Sequence, residues 1–315
     1  MKKNTTPITL TRKIYYIGIF LFVILFVLGN LVTYLATKKL ATRDSLTAFS
    51  LLNPARKFVD PKDLIINIQP LRDELQAIGD GDSRVSIYFE FLNTGANIAV
   101  NKDAEFWPAS LLKLPVSMAV TKKIERGEWN WNNELVVMAS DKDNRFGDLH
   151  KQPIGTKISL EKLIQEILQK SDNTANFMLV RNLEPSEFQD VYDHLGLVDF
   201  MSKEGKISAK KYSVMFRALY NASYLSETNS QRLLNILSET PFDGYAASAI
   251  PDDITFSHKI GVSDERNVFL DSGIVYAEKR PYVLTIMIAT KNEDEAKKIM
   301  HTVSDRVYKY IVNYQ

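Results

Sequence analysis

The 315-residue sequence contains no cysteine, which excludes disulfides, thiolate catalysis and cysteine-based zinc sites. Its four histidines, His150, His194, His258 and His301, lie far apart and lack the spacing of metal ligands. No glycine-rich phosphate loop is present either, so neither a metal nor a cofactor is expected. A surplus of one charge sign is also missing. The 39 Lys and Arg residues against 38 Asp and Glu leave a formal net charge of +1, and nothing global favours nucleic acid or an acidic partner. A Ser-His-Asp triad is disfavoured because no histidine lies in a recognisable setting for one.

One stretch lacks charge altogether. From Ile14 to Leu35 no charged residue occurs, and Ile14 to Leu28 is almost wholly apolar. At a rise of about 1.5 Å per residue, a helix of this length spans roughly the hydrocarbon core of a bilayer. The run is longer than the apolar part of a typical signal peptide, and Tyr34 to Ala41 offers only a poor cleavage site. The reading is an uncleaved signal anchor. Lys2, Lys3, Arg12 and Lys13 before it, against Lys38, Lys39 and Arg43 after it, give a slight bias towards a cytoplasmic N-terminus. Residues 1–13 are then a cytoplasmic tail, 14–35 the anchor, 36–63 a stalk with Pro54 and Pro61 and no sustained period, and 64–315 the soluble domain.

Within that domain, Leu71 to Ile78 reads as a short amphipathic helix stopped by Gly79-Asp-Gly81. Arg84 to Phe91 and Asn97 to Val100 alternate like two strands of a hairpin turned at Asn93-Thr-Gly95. A helix from Ser110 to about Arg126 follows, then Trp129 and Trp131 as packing residues and an irregular polar stretch, Ser140 to Lys151. Ser159 caps a helix whose apolar face is Leu160, Leu163, Ile164, Ile167 and Leu168. Further helices are expected at Pro185 to His194, Ser208 to Ser223 and Ser226 to Leu237. Three strands, Phe256 to Val262, Val268 to Tyr276 and Pro281 to Thr290, precede a long closing helix, Glu293 to Val312. Two strands before a helical block and three after it predict an α+β (α/β sandwich) fold. One antiparallel five-stranded sheet would be covered by helices, with an all-helical lobe inserted.

Trp107-Pro-Ala-Ser-Leu-Leu-Lys-Leu-Pro-Val116 carries Ser110 and Lys113 three residues apart on one helical face. A serine hydroxyl is a poor nucleophile until a neighbour takes its proton, and a lysine amine does so once burial lowers its pKa. Leu111, Leu112, Leu114 and Val116 supply the apolar surroundings, and the free amides of the helix start add positive potential. Ser171-Asp-Asn173 and Lys259-Ile-Gly261 follow in that order.

With these three motifs, set in helix, helix and strand, the chain resembles the serine β-lactamases of class A and the related penicillin-binding proteins, whose motif set is Ser-x-x-Lys, Ser-Asp-Asn and Lys-Thr-Gly. The resemblance runs over about residues 66 to 312 and includes Asp271-Ser-Gly-Ile-Val-Tyr276 on the strand after the lysine motif. It implies that Ser110 attacks an acyl carbonyl with Lys113 as proton acceptor. The amides of Ser110 and Val262 would hold the oxyanion. Ser171 would pass a proton to the leaving nitrogen in the field of Lys259, Gly261 would shape the substrate-binding strand, and Asn173 would bond the substrate's amide side chain. Asp172 would fix the turn. The implied substrate is a β-lactam or a cell-wall (peptidoglycan) peptide, hydrolysed outside the cytoplasmic membrane to which the N-terminal helix holds the protein.

The sequence departs from that pattern twice. Class A enzymes carry a glutamate that activates the deacylating water, on a long loop between the second and third motifs. Here Gly196 to Ser208 is short, and Glu204 is the nearest approximation. Slow hydrolysis of the acyl-enzyme follows, as in a penicillin-binding protein. Ile260 also stands where the family has Thr or Ser to hold the substrate carboxylate, leaving Ser263 or Arg266 to compensate. The alternative reading is a catalytically degenerate cell-wall binding or scaffolding module that keeps the fold.

Overall fold

The computed structural model describes residues 8–53, 59–79, 82, 84–197 and 199–314. Lys2 and Lys3 of the expected tail, residues 54–58 of the expected stalk, and Asp80 and Gly81 of the expected helix stop lie outside the described residues. The chain divides into two compact units, residues 1–50 and 51–315.

The first unit is one helix, α1 (Ile8–Ala48). Tyr15–Leu35 within it has a mean hydropathy of 2.4 and buries nothing against protein. Asn30 and Thr33 bond back to their own helix, Asn30 Nδ2 to Phe26 O and Thr33 Oγ1 to Gly29 O, each at 2.8 Å. Such bonds satisfy polar groups on an apolar helix. The helix continues beyond Leu35 into residues expected to be irregular. From 36 to 48 the sequence is rich in Ala, Lys and Leu and has no glycine or proline, so nothing breaks the ladder.

The second unit begins at Leu51, whose amide donates to Gln231 Oε1 and whose carbonyl accepts from Tyr276 Oη. Leu51 and Leu52 are buried, and Asn53 N donates to Tyr220 O. These residues belong to the packed domain, ahead of the expected start at Leu64.

The sheet contains β1 (Val85–Phe91), β2 (Ala96–Val100), β3 (Phe256–Ser263), β4 (Val268–Val275) and β5 (Tyr282–Ala289). All neighbours are antiparallel, in the order β2-β1-β5-β4-β3. The last strand therefore inserts between the two ends of the domain, and β3 is left at an edge. The helices are α2 (Gln69–Gly79), α3 (Lys113–Glu125), α4 (Leu160–Gln169), α5 (Asn173–Val180), α6 (Pro185–His194), α7 (Ala209–Tyr220), α8 (Glu227–Ser238) and α9 (Glu293–Asn313). One face of the sheet packs Phe89, Phe91, Ile260, Phe269 and Ile286 with α2 and α9, whose Met300, Val303 and Val307 are fully buried. α7 and α8 cover the other face.

Side-chain alternation along β3 decides what faces the helical lobe. Ser257 donates to Leu234 O of α8, so Ser257 and Lys259 point there, whereas Ile260 points into the α9 core and is 3% exposed. Outside the sheet, Glu105–Phe106 pairs with Ile207–Ser208, and Glu134–Val136 with Lys157–Ser159. Ser159 caps α4 by accepting from Lys162 N, and the five apolar residues of that helix are fully buried.

Candidate active site

Ser110 lies in a 3₁₀ turn, Ala109–Leu112, that runs into α3, rather than in the α-helix itself. A 3₁₀ turn eclipses residues three apart, which draws Lys113 directly over Ser110. Lys113 Nζ lies 3.0 Å from Ser110 Oγ. Two features fix the turn from outside. Tyr212 Oη on α7 donates to Leu111 O at 2.9 Å. Gly261 on β3 comes so close that a Cβ there would stand 3.0 Å from both Pro108 O and Leu111 Cγ. Glycine lets the edge strand meet the turn of Ser110 almost backbone to backbone. Val262 follows on the same strand, paired with Phe269.

Lys113 is 4% exposed and makes three further contacts: Ser171 O, Ser171 Oγ at 3.1 Å and Asn173 Oδ1 at 2.6 Å. Burial pushes its ammonium from 10.5 down to about 7, against the pull of the Asp172 and Asp143 carboxylates. Two of its partners, a carbonyl and an amide oxygen, can only accept. A neutral amine spends both N–H groups on them and keeps its lone pair for a hydroxyl.

Lys259 Nζ reaches the same Ser171 Oγ from the other side at 2.9 Å, and also donates to Ile260 O. It is 1% exposed; burial and the nearby Lys113 hold its pKa well below the usual lysine range, with Asp271 opposing. Ser171 is buried and has φ +56°, a left-handed conformation that carries its hydroxyl between the two amines. Asp172 caps α5 by accepting from Ala175 N at 2.8 Å and takes Leu149 N at the same distance, so it fixes the turn.

Of the residues singled out from sequence, Ser110, Lys113, Ser171, Asn173 and Lys259 thus form one hydrogen-bonded cluster. Glu204 stands apart, paired with Lys206 at 2.6 Å with 73% of its side chain exposed. Among the described residues no glutamate bonds Ser110 or Lys113. Ser263 accepts from Arg266 N within the β3–β4 turn, and Arg266 stacks on Trp107 at 4.9 Å. His258 is buried on the core face of β3, with Nδ1 2.8 Å from Asp271 Oδ1.

Sequence reasoning missed Asp143 and Arg145 in the irregular stretch. Asp143 Oδ1 accepts from Asn173 Nδ2 at 2.9 Å, and Arg145 clasps the same carboxylate through Nε and Nη2. The hydrogen bonds from Arg145 hold the Asp143 carboxyl well below the ordinary 3.8. The local signal is an aspartate two positions before an arginine in an otherwise unpatterned loop; its meeting with Asn173 is purely tertiary.

The fold has many solved neighbours. PBP-A superposes with a TM-score of 0.71 at 22% identity, covering 78% of this chain and 97% of its own. A β-lactamase from Sphaerobacter thermophilus gives 0.70 at 19%, covering 79% and 100% respectively. The extended-spectrum β-lactamase TLA-3 gives 0.69 at 18%, covering 78% and 100%. No curated protein sequence matches the chain. The sequence model described as the beta-lactamase enzyme family matches residues 70–311, most of the chain and every motif above, so this protein belongs to the beta-lactamase enzyme family.

Proposed function

We propose that this protein is a membrane-anchored serine hydrolase that forms an acyl-enzyme on Ser110 with β-lactams or cell-wall peptides. The observation that carries the reading is the 3.0 Å approach of a desolvated lysine amine, Lys113, to the Ser110 hydroxyl. Ser110 Oγ bonds to the substrate carbonyl carbon as its proton passes to Lys113 Nζ. The amides of Ser110 and Val262 take the oxyanion, and Asn173 holds the acyl amide. When the C–N bond breaks, Ser171 Oγ gives its proton to the leaving nitrogen and regains one from Lys113 Nζ, 3.1 Å away. Lys259 Nζ holds that hydroxyl in place from its other side. That no glutamate among the described residues hydrogen-bonds Ser110 or Lys113 supports slow deacylation. A variant of the structural neighbour PBP-A was solved as an acyl-enzyme complex with penicillin G.

Tyr15–Leu35 is the anchor and residues 51–315 the extracytoplasmic domain in this reading. Labelled penicillin is expected to give a covalent adduct that sediments with membranes and vanishes in Ser110→Ala. Absence of any adduct favours the second reading, a cell-wall scaffold, for which the missing glutamate speaks. Turnover of a chromogenic cephalosporin separates a β-lactamase from a slow acylating relative.

A further inference from the structure

Beside Asn173 lies a recess of about 460 Å³ that the reaction above does not use. Lys142, Asp143, Asn144, Arg145 and His150 line it. Its one lining carboxylate, Asp143, is already committed, clasped by Arg145 and bonded to Asn173. Arg145 is oriented by that clasp and stays exposed, with only a loose approach of 3.9 Å to Glu265 of the β3–β4 turn. Lys142 projects into solvent with no ion pair. His150 lines the recess, but its Nδ1 is buried away from it and has no hydrogen-bond partner. Nearby Asp148 is matched by Lys151. The recess therefore offers an uncommitted lysine and a preset guanidinium, with Glu265 a loosely held competitor at 3.9 Å from Arg145.

Position gives the recess its meaning. Asp143 lines it and hydrogen-bonds Asn173, the residue assigned to the substrate's acyl amide, which sets the recess one residue away from that amide's partner. We propose that the recess is an anion subsite, and that the Ser110 site prefers substrates whose acyl side chain ends in a carboxylate. This rests on the acyl-enzyme reading and adds the substrate class to it. A guanidinium already oriented by one carboxylate loses little freedom in meeting a second.

The test compares second-order acylation rates of three penicillins that differ only in the side chain: carbenicillin with a carboxylate, benzylpenicillin uncharged, and ampicillin with an ammonium. The full-length protein is expected to favour carbenicillin over ampicillin by roughly tenfold at low ionic strength, and the ratio should shrink as salt screens the subsite. Arg145→Ala and Lys142→Ala should each move the ratio towards one; Lys142→Ala leaves the Asp143 clasp intact. A ratio near one in the native protein, or one that no variant shifts, overturns the subsite while leaving the acyl-enzyme in place. Failure of all three probes to acylate overturns the acyl-enzyme reading and the subsite with it.

Discussion

Gly147 sits against Asp172 so closely that a Cβ added to the glycine would stand 2.0 Å from Asp172 Oδ2, and its φ of +80° already disfavours any side chain. This contact locks the loop carrying Asp143 onto the turn carrying Ser171. Gly147→Ala is expected to cost on the order of 3 kcal/mol, seen as a fall in the melting temperature of several degrees. Penicillin labelling should fall further than the loss of folded protein explains, because Asp172 must move for the methyl group to fit.

The second prediction concerns pH. Lys113 has a lower pKa in the fold, about 7, than the 10.5 of an unfolded chain. Between those values the unfolded state binds the extra proton, so stability rises with pH across the window and the full cost of the buried amine is felt below it. Acylation should rise with pH through an inflection near 7, as the amine becomes able to accept a proton. Lys113→Met is expected to abolish acylation yet raise the neutral-pH melting temperature. A flat pH profile, or a destabilised Met variant, contradicts this account.

Removing the hydroxyl shared by two amines is the third test. Ser171→Ala should slow acylation by about 10²–10⁴-fold, the usual worth of a positioned proton donor. Substrate affinity should change little, because the hydroxyl acts on the leaving nitrogen. Stopped-flow acylation at several penicillin concentrations resolves the two parameters.

Asp271 makes the fourth. Its carboxylate meets His258 Nδ1 through one oxygen and accepts from Ala246 N at 3.1 Å through the other, all within the core. Asp271→Ala leaves both groups buried and unmatched and should cost about 3 kcal/mol in urea unfolding. Asp271→Asn, which keeps an acceptor, should cost less.

Much of this was legible from the chain alone, and the pattern of success has a physical reason. The α4 face was visible because its apolar residues recur at helical spacing, and β4 and β5 because each is a short, largely apolar run that is buried almost end to end. Ser110, Lys113, Ser171 and Lys259 were visible because each sits in a local motif. What escaped notice depends on contacts distant in sequence. The polar stretch containing Asp143 and Arg145 has no period, and its order comes from Asn173. Leu51 to Asn53 looked like stalk because nothing local reveals that Tyr220, Gln231 and Tyr276 await them. Ile260 looked like a missing ligand to the substrate, but the strand's alternation turns its side chain into the α9 core.

Two residues without glycine's freedom, Ala109 at φ +45° and Ser171 at φ +56°, hold left-handed backbone, one next to Ser110 and one bearing the hydroxyl shared by two amines. Such conformations are uphill for any residue with a Cβ. Selection for heat resistance alone would push both positions towards glycine, and at Ser171 that drift would erase the hydroxyl altogether. Robustness and the proposed chemistry are thus set against each other at the same two backbone angles, and a hardened descendant of this protein should be sought with those two positions held constant.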